Sequence, residues 1–325
     1  MKSVSVLVPI YNVESFLDEC LGSLAKQTLD DIEFICINDG STDNSLKILK
    51  RYAAKDKRFV VIDKSNSGYG DSMNAGLERA RGEYIGIVES DDFVDAEMFE
   101  KLYALARKTK ADVVRSNYYY HHDGIDELHE SIRGQKTGCG LGLLENPEIM
   151  FEEPAIWSGL YRREFLNEKG IRFLPTPGAS YQDTGFNMKA LCSAQRIAYT
   201  KKAFLHYRTD NSNSSVKSAK KVHFVRKEYA EIERFLAENE VDLQLRKYAQ
   251  AAKFGSYHWN LIRLPKKAAK EFLIKMREEY REAKEAGLLE KACFPKKYWS
   301  ALQVIMRFPA GFYLCVLGLR ERIKR

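Results

Sequence analysis

Residues 83–92 read EYIGIVESDD. The apolar part of this stretch predicts a buried β-strand, and the strand runs straight into Glu89, Asp91 and Asp92. Carboxylates this close together raise one another's pKa unless a cation lies among them. The stretch therefore predicts a strand end that is either a solvated polar loop or a cation site.

The first hundred residues alternate between strand-like and helix-like patterns, and a further strand follows. Runs rich in β-branched residues predict strands at SVSVLVPIY (3–11), IEFICIN (32–38), FVVID (59–63) and ADVVRSNYYY (111–120). The intervening stretches place apolar residues at helical spacing, and one helix is expected over residues 93–109. Alternation of this kind indicates βαβ units and an α/β fold with a mostly parallel sheet.

Polar side chains follow four of these predicted strands. They are Tyr11 and Asn12 after the strand at 3–11, Asp39 after the strand at 32–38, Asn66 after the strand at 59–63, and the carboxylates of residues 89–92 at the end of the EYIGIVE strand that begins at residue 83. Ligands collect at the carboxyl ends of parallel strands, so these positions predict a binding site. Gly40 permits a tight turn, and Asp39 can accept a hydrogen bond from a base or a ribose. An Asx turn with a helix cap is the alternative interpretation.

The acidic stretch suits a hard divalent cation. Carboxylate oxygens are preferred ligands of Mg²⁺ and Mn²⁺, and such an ion normally also holds phosphate oxygens. The alternative is structural, because acidic residues also stabilise the N-terminus of a following helix.

Composition indicates an ordered globular protein in a reducing compartment. The chain has 325 residues, of which 45% are hydrophobic and 12% aromatic. Its six cysteines form no CxxC pair and no Cys/His zinc spacing, which favours the cytoplasm. The apolar run over residues 4–10 contains Pro9 and is too short for a signal peptide, so it is interpreted as a strand.

The net charge of +7 is concentrated at the C-terminal end. From Arg263 onward there are 16 Lys and Arg against 7 Asp and Glu, whereas the remaining residues carry 36 against 38. The final apolar stretch, residues 298–325, is interrupted by Arg307 and Pro309. It is interpreted as an interfacial amphipathic anchor on the inner face of a membrane; a final helix packed on the protein is the alternative. No nucleic-acid motif accompanies the basic residues, so no nucleic-acid partner is expected.

An ordered set of motifs resembles the family 2 glycosyltransferases with the GT-A fold, of the bacterial surface-polysaccharide type. The motifs are VSVLVPIYN, INDGSTDNS, NSGYGDSMNAGL, GEYIGIVESDD, YQDTGF and YRTDNSNSS. The resemblance covers residues 1–215. It implies a nucleotide-binding half over 1–110 and an acceptor half over 111–215, followed by a helical, basic region over 216–325.

The resemblance implies roles for the residues at the strand ends. Donor binding is expected at Pro9, Tyr11, Asn12, Asp39, Asn66, Glu89 and Asp91. The DXD motif of the family reads Glu89-Ser90-Asp91 here. Asp91 is the expected ligand of Mn²⁺ or Mg²⁺, and Glu89 is expected to meet the ribose or a metal-bound water.

The resemblance also implies a general base. The family's acidic "ED" step reads Gln182-Asp183 here, so Asp183 is expected to take the acceptor proton; a helix N-cap is the alternative. Acceptor binding is expected at Trp157, Gln182, His206 and Arg208. Trp157 can stack on a sugar face or belong to the core. Met73 stands where many family members carry Arg, and Arg208 is a candidate replacement.

These features predict an inverting, metal-dependent transferase. It would move a hexose or N-acetylhexosamine from a UDP-sugar to a glycan acceptor, expected to be lipid-linked, in cell-surface polysaccharide synthesis. A nucleotidyltransferase is one alternative, although residues 9–16 lack the Gly and Lys that would hold a triphosphate. A catalytically silent glycan-binding or scaffold protein is the other, and the Met73 and Gln182 departures are the features that favour it.

Overall fold

The protein is described by a computed structural model that covers residues 2–211 and 224–314. The chain divides into two compact units, Met1–Ser214 and Ser215–Arg325. The first unit contains a large β-sheet with helices, and the described part of the second unit is helical.

A ten-stranded sheet organises the described part of the first unit. Its strands are β1 (Val4–Ile10), β2 (Ile32–Asp39), β3 (Phe59–Lys64), β4 (Tyr84–Ile87), β5 (Phe93–Val94), β6 (Val113–His122), β7 (Ile125–His129), β8 (Gly140–Leu141), β9 (Gly159–Arg162) and β10 (Ile197–Arg208). The main order is β3-β2-β1-β4-β9-β6-β10-β5, while β7 pairs with β6 and β8 with β10. Strands β1–β4, β6 and β10 run in one direction, so the mostly parallel α/β prediction is confirmed.

Helices connect the strands of this unit. They are α1 (Glu14–Ala25), α2 (Ser45–Lys55), α3 (Tyr69–Arg79), α4 (Met98–Thr109), α5 (Arg163–Glu168) and α6 (Gln182–Ser193). Strands β1 and β2 are buried along their whole length, as expected for central strands of a sheet covered on both faces. Their polar residues are paired: Ser5 Oγ donates to Glu33 at 2.6 Å.

The predicted helix over residues 93–109 is wrong in its first turn. Phe93 and Val94 form β5, an antiparallel partner of β10, and α4 begins only at Met98. Pairing with a strand more than one hundred residues away overrides the local helical spacing, because sheet hydrogen bonds satisfy the backbone here.

Gly40 makes the predicted tight turn after β2. Its φ is +70°, and a Cβ atom there would lie 2.8 Å from the backbone nitrogen of Asn66. Glycine therefore allows the end of β2 to approach the loop that follows β3.

The second unit contains four labelled helices among its described residues: α7 (Phe224–Glu238), α8 (Leu243–Leu261), α9 (Lys266–Glu285) and α10 (Lys296–Arg307). Tyr229, Tyr257 and Tyr280 are fully buried in its core. The buried Lys253 ammonium is neutralised by Glu233 at 2.8 Å and Glu279 at 2.9 Å.

The predicted anchor segment begins in α10 and extends past the described residues. Within the described ranges, no helix is both long and apolar enough to cross a bilayer. Arg307, Phe308 and Phe312 are exposed, and the two phenylalanine rings lie 4.7 Å apart. The terminal basic residues Arg320, Arg322, Lys324 and Arg325 lie outside the described residues.

Candidate active site

Four strand ends meet at one edge of the sheet. Strands β3, β2, β1 and β4 are adjacent and parallel, so the polar residues that follow them are neighbours. Ile10 is paired with Asn38, and the Val88 nitrogen donates to Leu7 just beyond β4. The structure thus brings together the strand-end residues that the sequence singled out.

Asp39 organises the loop after β3. Its carboxylate accepts hydrogen bonds from Lys64 Nζ at 2.7 Å and from the backbone nitrogens of Ser67 and Gly68 at 2.9 Å each. Burial opposes ionisation, but these donors hold the pKa of Asp39 below its usual value. The Asn66 amide donates to the Asp39 carbonyl at 2.9 Å. Asp39 therefore remains ionised and shapes one wall of the site.

Tyr11 and Asn12 form the neighbouring rim, directly after β1, which contains the buried Pro9. The Tyr11 side chain is 53% exposed. Asn12 has a left-handed φ of 51°, and its Oδ1 accepts from the Thr42 nitrogen at 2.8 Å. The turn thereby leaves the Tyr11 ring exposed to solvent beside the loop that Asp39 organises.

Glu89 is desolvated within the acidic cluster. Part of its side chain reaches solvent, but burial of the carboxyl group raises the pKa of Glu89 to about 8, helped by the charges of Asp91 and Asp183. Tyr69, in the first turn of α3, donates its hydroxyl to Glu89 Oε1 at 2.6 Å and opposes this shift.

Asp91 and Asp92 are each held by a hydrogen bond from residues 208–211. The Asn211 amide donates to Asp91 Oδ2 at 2.8 Å, and the Arg208 backbone nitrogen donates to Asp92 Oδ1 at 2.8 Å. Asp92 is buried and its Oδ2 has no hydrogen-bond partner among the described residues. Burial and the Asp91 charge raise the pKa of Asp92 well above its usual value.

This donor set fits a hard divalent cation. Glu89 and Asp92 both have raised pKa values, to which the nearby Asp91 charge contributes, and Asp92 has a buried oxygen without a partner among the described residues. A positive charge among them would relieve the repulsion that the sequence already indicated. Oxygen-only ligands favour Mg²⁺ or Mn²⁺.

Arg208 lies behind the acidic cluster. Its guanidinium donates to the Asp91 carbonyl at 2.9 Å, pairs with Glu19, and packs over the rings of Phe16 and Phe93. The contacts of Arg208 are thus with the strand end that carries Asp91. Met73, which stands where many family members carry Arg, is fully buried.

Asp183 lies in the first turn of α6, near the same cluster. Its Oδ1 accepts from the Thr184 nitrogen at 2.7 Å. Burial of the carboxyl group raises the pKa of Asp183 to about 6, and the Glu153 charge adds to the effect. The neighbouring Gln182 is buried and turned into the preceding loop, where its Nε2 donates to Thr176 Oγ1 at 2.7 Å.

An aromatic wall adjoins Asp183. The Trp157 ring stacks on Tyr207 at 5.2 Å with an interplanar angle of 15°. Trp157 is 8% exposed, and its Nε1 has no hydrogen-bond partner among the described residues. Glu153 accepts from the Tyr118 and Tyr120 hydroxyls at 2.6 and 2.9 Å. This wall thus combines the buried Trp157 ring, the half-buried Tyr207 ring and the exposed Glu153 carboxylate.

His206 has a set of contacts of its own. Its ring stacks between Phe93 and Tyr119, and its nitrogens lie near Asp95 and Asp126. The expected role of His206 in acceptor binding stays a prediction.

Sequence reasoning missed Tyr69, Glu153, Tyr207 and Asn211. Tyr69, Tyr207 and Asn211 lie inside quoted motifs, so their position was a usable signal. Glu153 follows a 3₁₀ helix in an irregular segment, where no periodicity points to it.

Comparisons with known proteins agree on one family. A family model described as "Glycosyl transferase family 2" matches residues 5–185. The "Uncharacterized glycosyltransferase EpsJ" of Bacillus subtilis (strain 168) is 35% identical over 221 residues, or 65% of this chain and 62% of that protein. The "Putative glycosyltransferase EpsH" of the same organism is 34% identical, over 68% of this chain and 64% of its own length. The matches thus span less than two thirds of these relatives.

Solved structures share the fold. Staphylococcus aureus TarS 1-349 in complex with UDP-GlcNAc superposes with a TM-score of 0.81 at 22% identity, covering 96% of this chain and 89% of that chain. The mannosyltransferase PcManGT from Pyrobaculum calidifontis, in complex with GDP-Man and Mn²⁺, gives 0.52 at 15% identity, covering 95% and 86%.

Proposed function

The chain belongs to glycosyl transferase family 2 and has the GT-A fold, and we propose that it transfers a hexose or N-acetylhexosamine from a UDP-sugar to a glycan acceptor with inversion. The observation that carries this proposal is the desolvated Asp183 carboxyl group, which lies close enough to Glu89 to raise its pKa. The proposed base and the proposed donor site would thereby be neighbours.

Asp183 is proposed as the general base. Inversion needs a group that removes the acceptor proton on the side opposite the leaving diphosphate. A carboxylate with a pKa of about 6 is ionised at neutral pH yet more basic than an exposed aspartate. Trp157, Tyr207 and Glu153 would orient the acceptor sugar next to it.

Asp91 is proposed to hold Mn²⁺ or Mg²⁺, with Glu89 beside it. When bound, such an ion neutralises the charge of the departing diphosphate. Arg208 donates to the Asp91 carbonyl and Asn211 donates to the Asp91 carboxylate, so that this carboxylate would be preorganised for the donor. Glu89 is oriented by the Tyr69 hydroxyl.

The donor nucleotide is proposed to lie along the strand ends. Tyr11 offers an exposed ring for stacking on the base, and the loop ordered by Asp39 and carrying Asn66 offers polar groups for the base and ribose. UDP-GlcNAc and UDP are the ligands named for the TarS complexes, which supports UDP as the nucleotide to test first.

The biological setting is proposed to be cell-surface polysaccharide synthesis on the cytoplasmic side of the membrane. A relative 31% identical over 60% of this chain and 30% of that protein is named poly(ribitol-phosphate) beta-glucosyltransferase in Bacillus spizizenii. The basic C-terminal end supports peripheral contact with an anionic membrane and hence a lipid-linked acceptor.

Calorimetric titration of UDP into the purified protein, with and without Mn²⁺, tests the donor site. UDP binding should strengthen with Mn²⁺, and Asp91→Ala should abolish that gain. Asp183→Asn should keep metal-dependent UDP binding but lose transfer by a factor on the order of 100 or more, because a positioned base contributes that much.

Two outcomes would contradict the proposal. Absence of UDP binding with and without metal would remove the donor assignment. Near-full transfer by Asp183→Asn would remove the base assignment while leaving the donor site intact. Asp30→Asn, at an exposed carboxylate before β2, is a control for the loss of one negative charge.

A further inference from the structure

We propose that His121, Asp126 and His206 form a second cation site, of the Zn²⁺ class, distinct from the acidic cluster after β4. Their ligand atoms all lie within 4.8 Å of one another. The three residues come from β6, β7 and β10, so no linear sequence spacing reveals them. This proposal does not depend on the transfer reaction.

The β6–β7 hairpin fixes the first two ligands. Asp123 and Gly124 form its two-residue turn, both with left-handed φ values of 49° and 77°. Two such residues favour a tight hairpin that sets the strand register. In that register His121 is paired with Asp126, and His121 Nδ1 lies 2.8 Å from Asp126 Oδ1.

His206 is held rigidly as the third ligand. It is 8% exposed, and its ring stacks on Phe93 at 4.3 Å and on Tyr119 at 4.9 Å. Its Nε2 lies 3.3 Å from Asp95 Oδ1. A carboxylate at the outer nitrogen is the arrangement by which metal-binding histidines are oriented.

The inner nitrogen of His206 is the feature that indicates a cation. Nδ1 is buried and lies 2.9 Å from Asp126 Oδ1, yet it forms no hydrogen bond within the described residues. When Nε2 donates to Asp95, Nδ1 carries a lone pair and no proton, and the Asp126 oxygen beside it lies off the direction of a hydrogen bond. A buried lone pair next to a carboxylate oxygen is an arrangement that a cation would stabilise.

The ligand types separate this site from the donor site. Two imidazoles and one carboxylate suit Zn²⁺, with a fourth position left for water, whereas the oxygen-only cluster after β4 suits Mg²⁺ or Mn²⁺. A bound ion would tie the β6–β7 hairpin to β10 two residues before Arg208, which touches Asp91. The site would therefore brace the strand that supports the acidic cluster.

Zn²⁺ titration of the metal-stripped full chain tests this proposal. Asp91→Ala is used as the background so that the acidic cluster does not contribute. One equivalent of Zn²⁺ should bind and raise the melting temperature, and excess Mg²⁺ should not displace it. Asp126→Ala and His121→Phe should each weaken Zn²⁺ binding by more than the roughly 10–100-fold that loss of a second-shell partner costs.

Matched neighbours provide the controls. Glu127→Ala removes the adjacent carboxylate on β7, and His122→Phe removes the adjacent imidazole on β6; both should bind Zn²⁺ like the background. Circular dichroism of the metal-free variants checks folding. Asp126 is exposed at the sheet edge, so Asp126→Ala decides the question if His121→Phe does not fold.

A proton shared by the three groups is the competing explanation. If the background chain binds no stoichiometric Zn²⁺, or if Asp126→Ala and Glu127→Ala bind it equally, the cluster is a hydrogen-bonded network and the metal site is refuted. Co²⁺ in place of Zn²⁺ gives a second readout, since d–d absorption reports coordination directly; it should vanish in Asp126→Ala and His121→Phe and persist in Glu127→Ala and His122→Phe.

Discussion

At the scale of single residues, Asp183 determines the expected pH dependence. Its pKa is raised to about 6, so the carboxyl group gains a proton as the pH falls through that value. A protonated base cannot accept the acceptor proton, and kcat should therefore fall below about pH 6 and level off above it. Steady-state kinetics from about pH 5 to pH 8 would check this, with UDP binding measured over the same range as the reference.

A flat profile through pH 6 would be incompatible with this assignment. So would a loss of UDP binding that accounts for the whole decline in rate, because the effect would then belong to the donor site.

Arg208 is expected to control UDP binding indirectly, by positioning Asp91. Arg208→Ala removes the contacts to the Asp91 carbonyl and to Glu19, so metal-dependent UDP binding should weaken by roughly 10–100-fold. Arg208→Lys should recover only part of it, because Lys lacks the planar fork of the guanidinium. Titration calorimetry measures both variants.

Arg107→Ala is the matched control for the two Arg208 variants. Arg107 is exposed and paired with Glu83 at 2.7 Å, and such surface pairs contribute about 0–1 kcal/mol. Equal UDP affinity in Arg208→Ala and the unaltered protein would show that Asp91 needs no support from β10.

At the scale of elements, Gly159 in β9 leaves no room for a side chain against β6. A Cβ atom there would lie 2.0 Å from the Val114 carbonyl oxygen on β6. Gly159→Ala should therefore lower the free energy of unfolding by at least about 1–3 kcal/mol, since the backbone must move to accept it. Gly134→Ala, which meets open space, should be nearly neutral in the same denaturation experiment. Equal stabilities would mean that β6 and β9 adjust freely.

The sequence predicted the strands of the first half well, because each is a short β-branched run followed by a polar turn. The helix over residues 93–109 failed at its start because Phe93 and Val94 pair with β10, a partner that local spacing cannot reveal. Short strands that exist only through distant pairing, such as β5 and β8, lie beyond periodicity arguments.

The candidate site was predictable where its residues follow strands and not where they follow irregular chain. Asp39, Asn66 and Asp91 were found because parallel strands deliver their ends to one edge. Glu153 and the His121–Asp126–His206 cluster depend on how β6, β7 and β10 fold together, and their residue spacing carries no such information.

At the scale of the whole molecule, charge and exposed aromatic surface predict membrane association through the C-terminal region. Lys296, Lys297 and Arg307 are exposed on α10, close in sequence to the exposed Phe308 and Phe312. The full chain should bind vesicles with anionic lipid, and binding should weaken with salt. Changing the three basic residues to Gln should weaken it by about two orders of magnitude, at about 1 kcal/mol for each charge.

The control removes three exposed lysines from α2 instead: Lys47, Lys50 and Lys55. Vesicle co-sedimentation at low and high salt measures both triple variants. Equal losses in the two variants would indicate attraction by net charge alone, and no binding to anionic vesicles would remove the membrane from the proposed setting.

The contact between Arg208 and the Asp91–Asp92 pair also has a consequence for synthesis on the ribosome. The carboxylates emerge early in the chain, but the strand that restrains them is translated more than one hundred residues later. A nascent chain that ends before β10 carries these carboxylates without the contacts that restrain them. On the proposed function, an unfinished chain would therefore bind donor nucleotide poorly, and it would become competent for transfer only after β10 has been made.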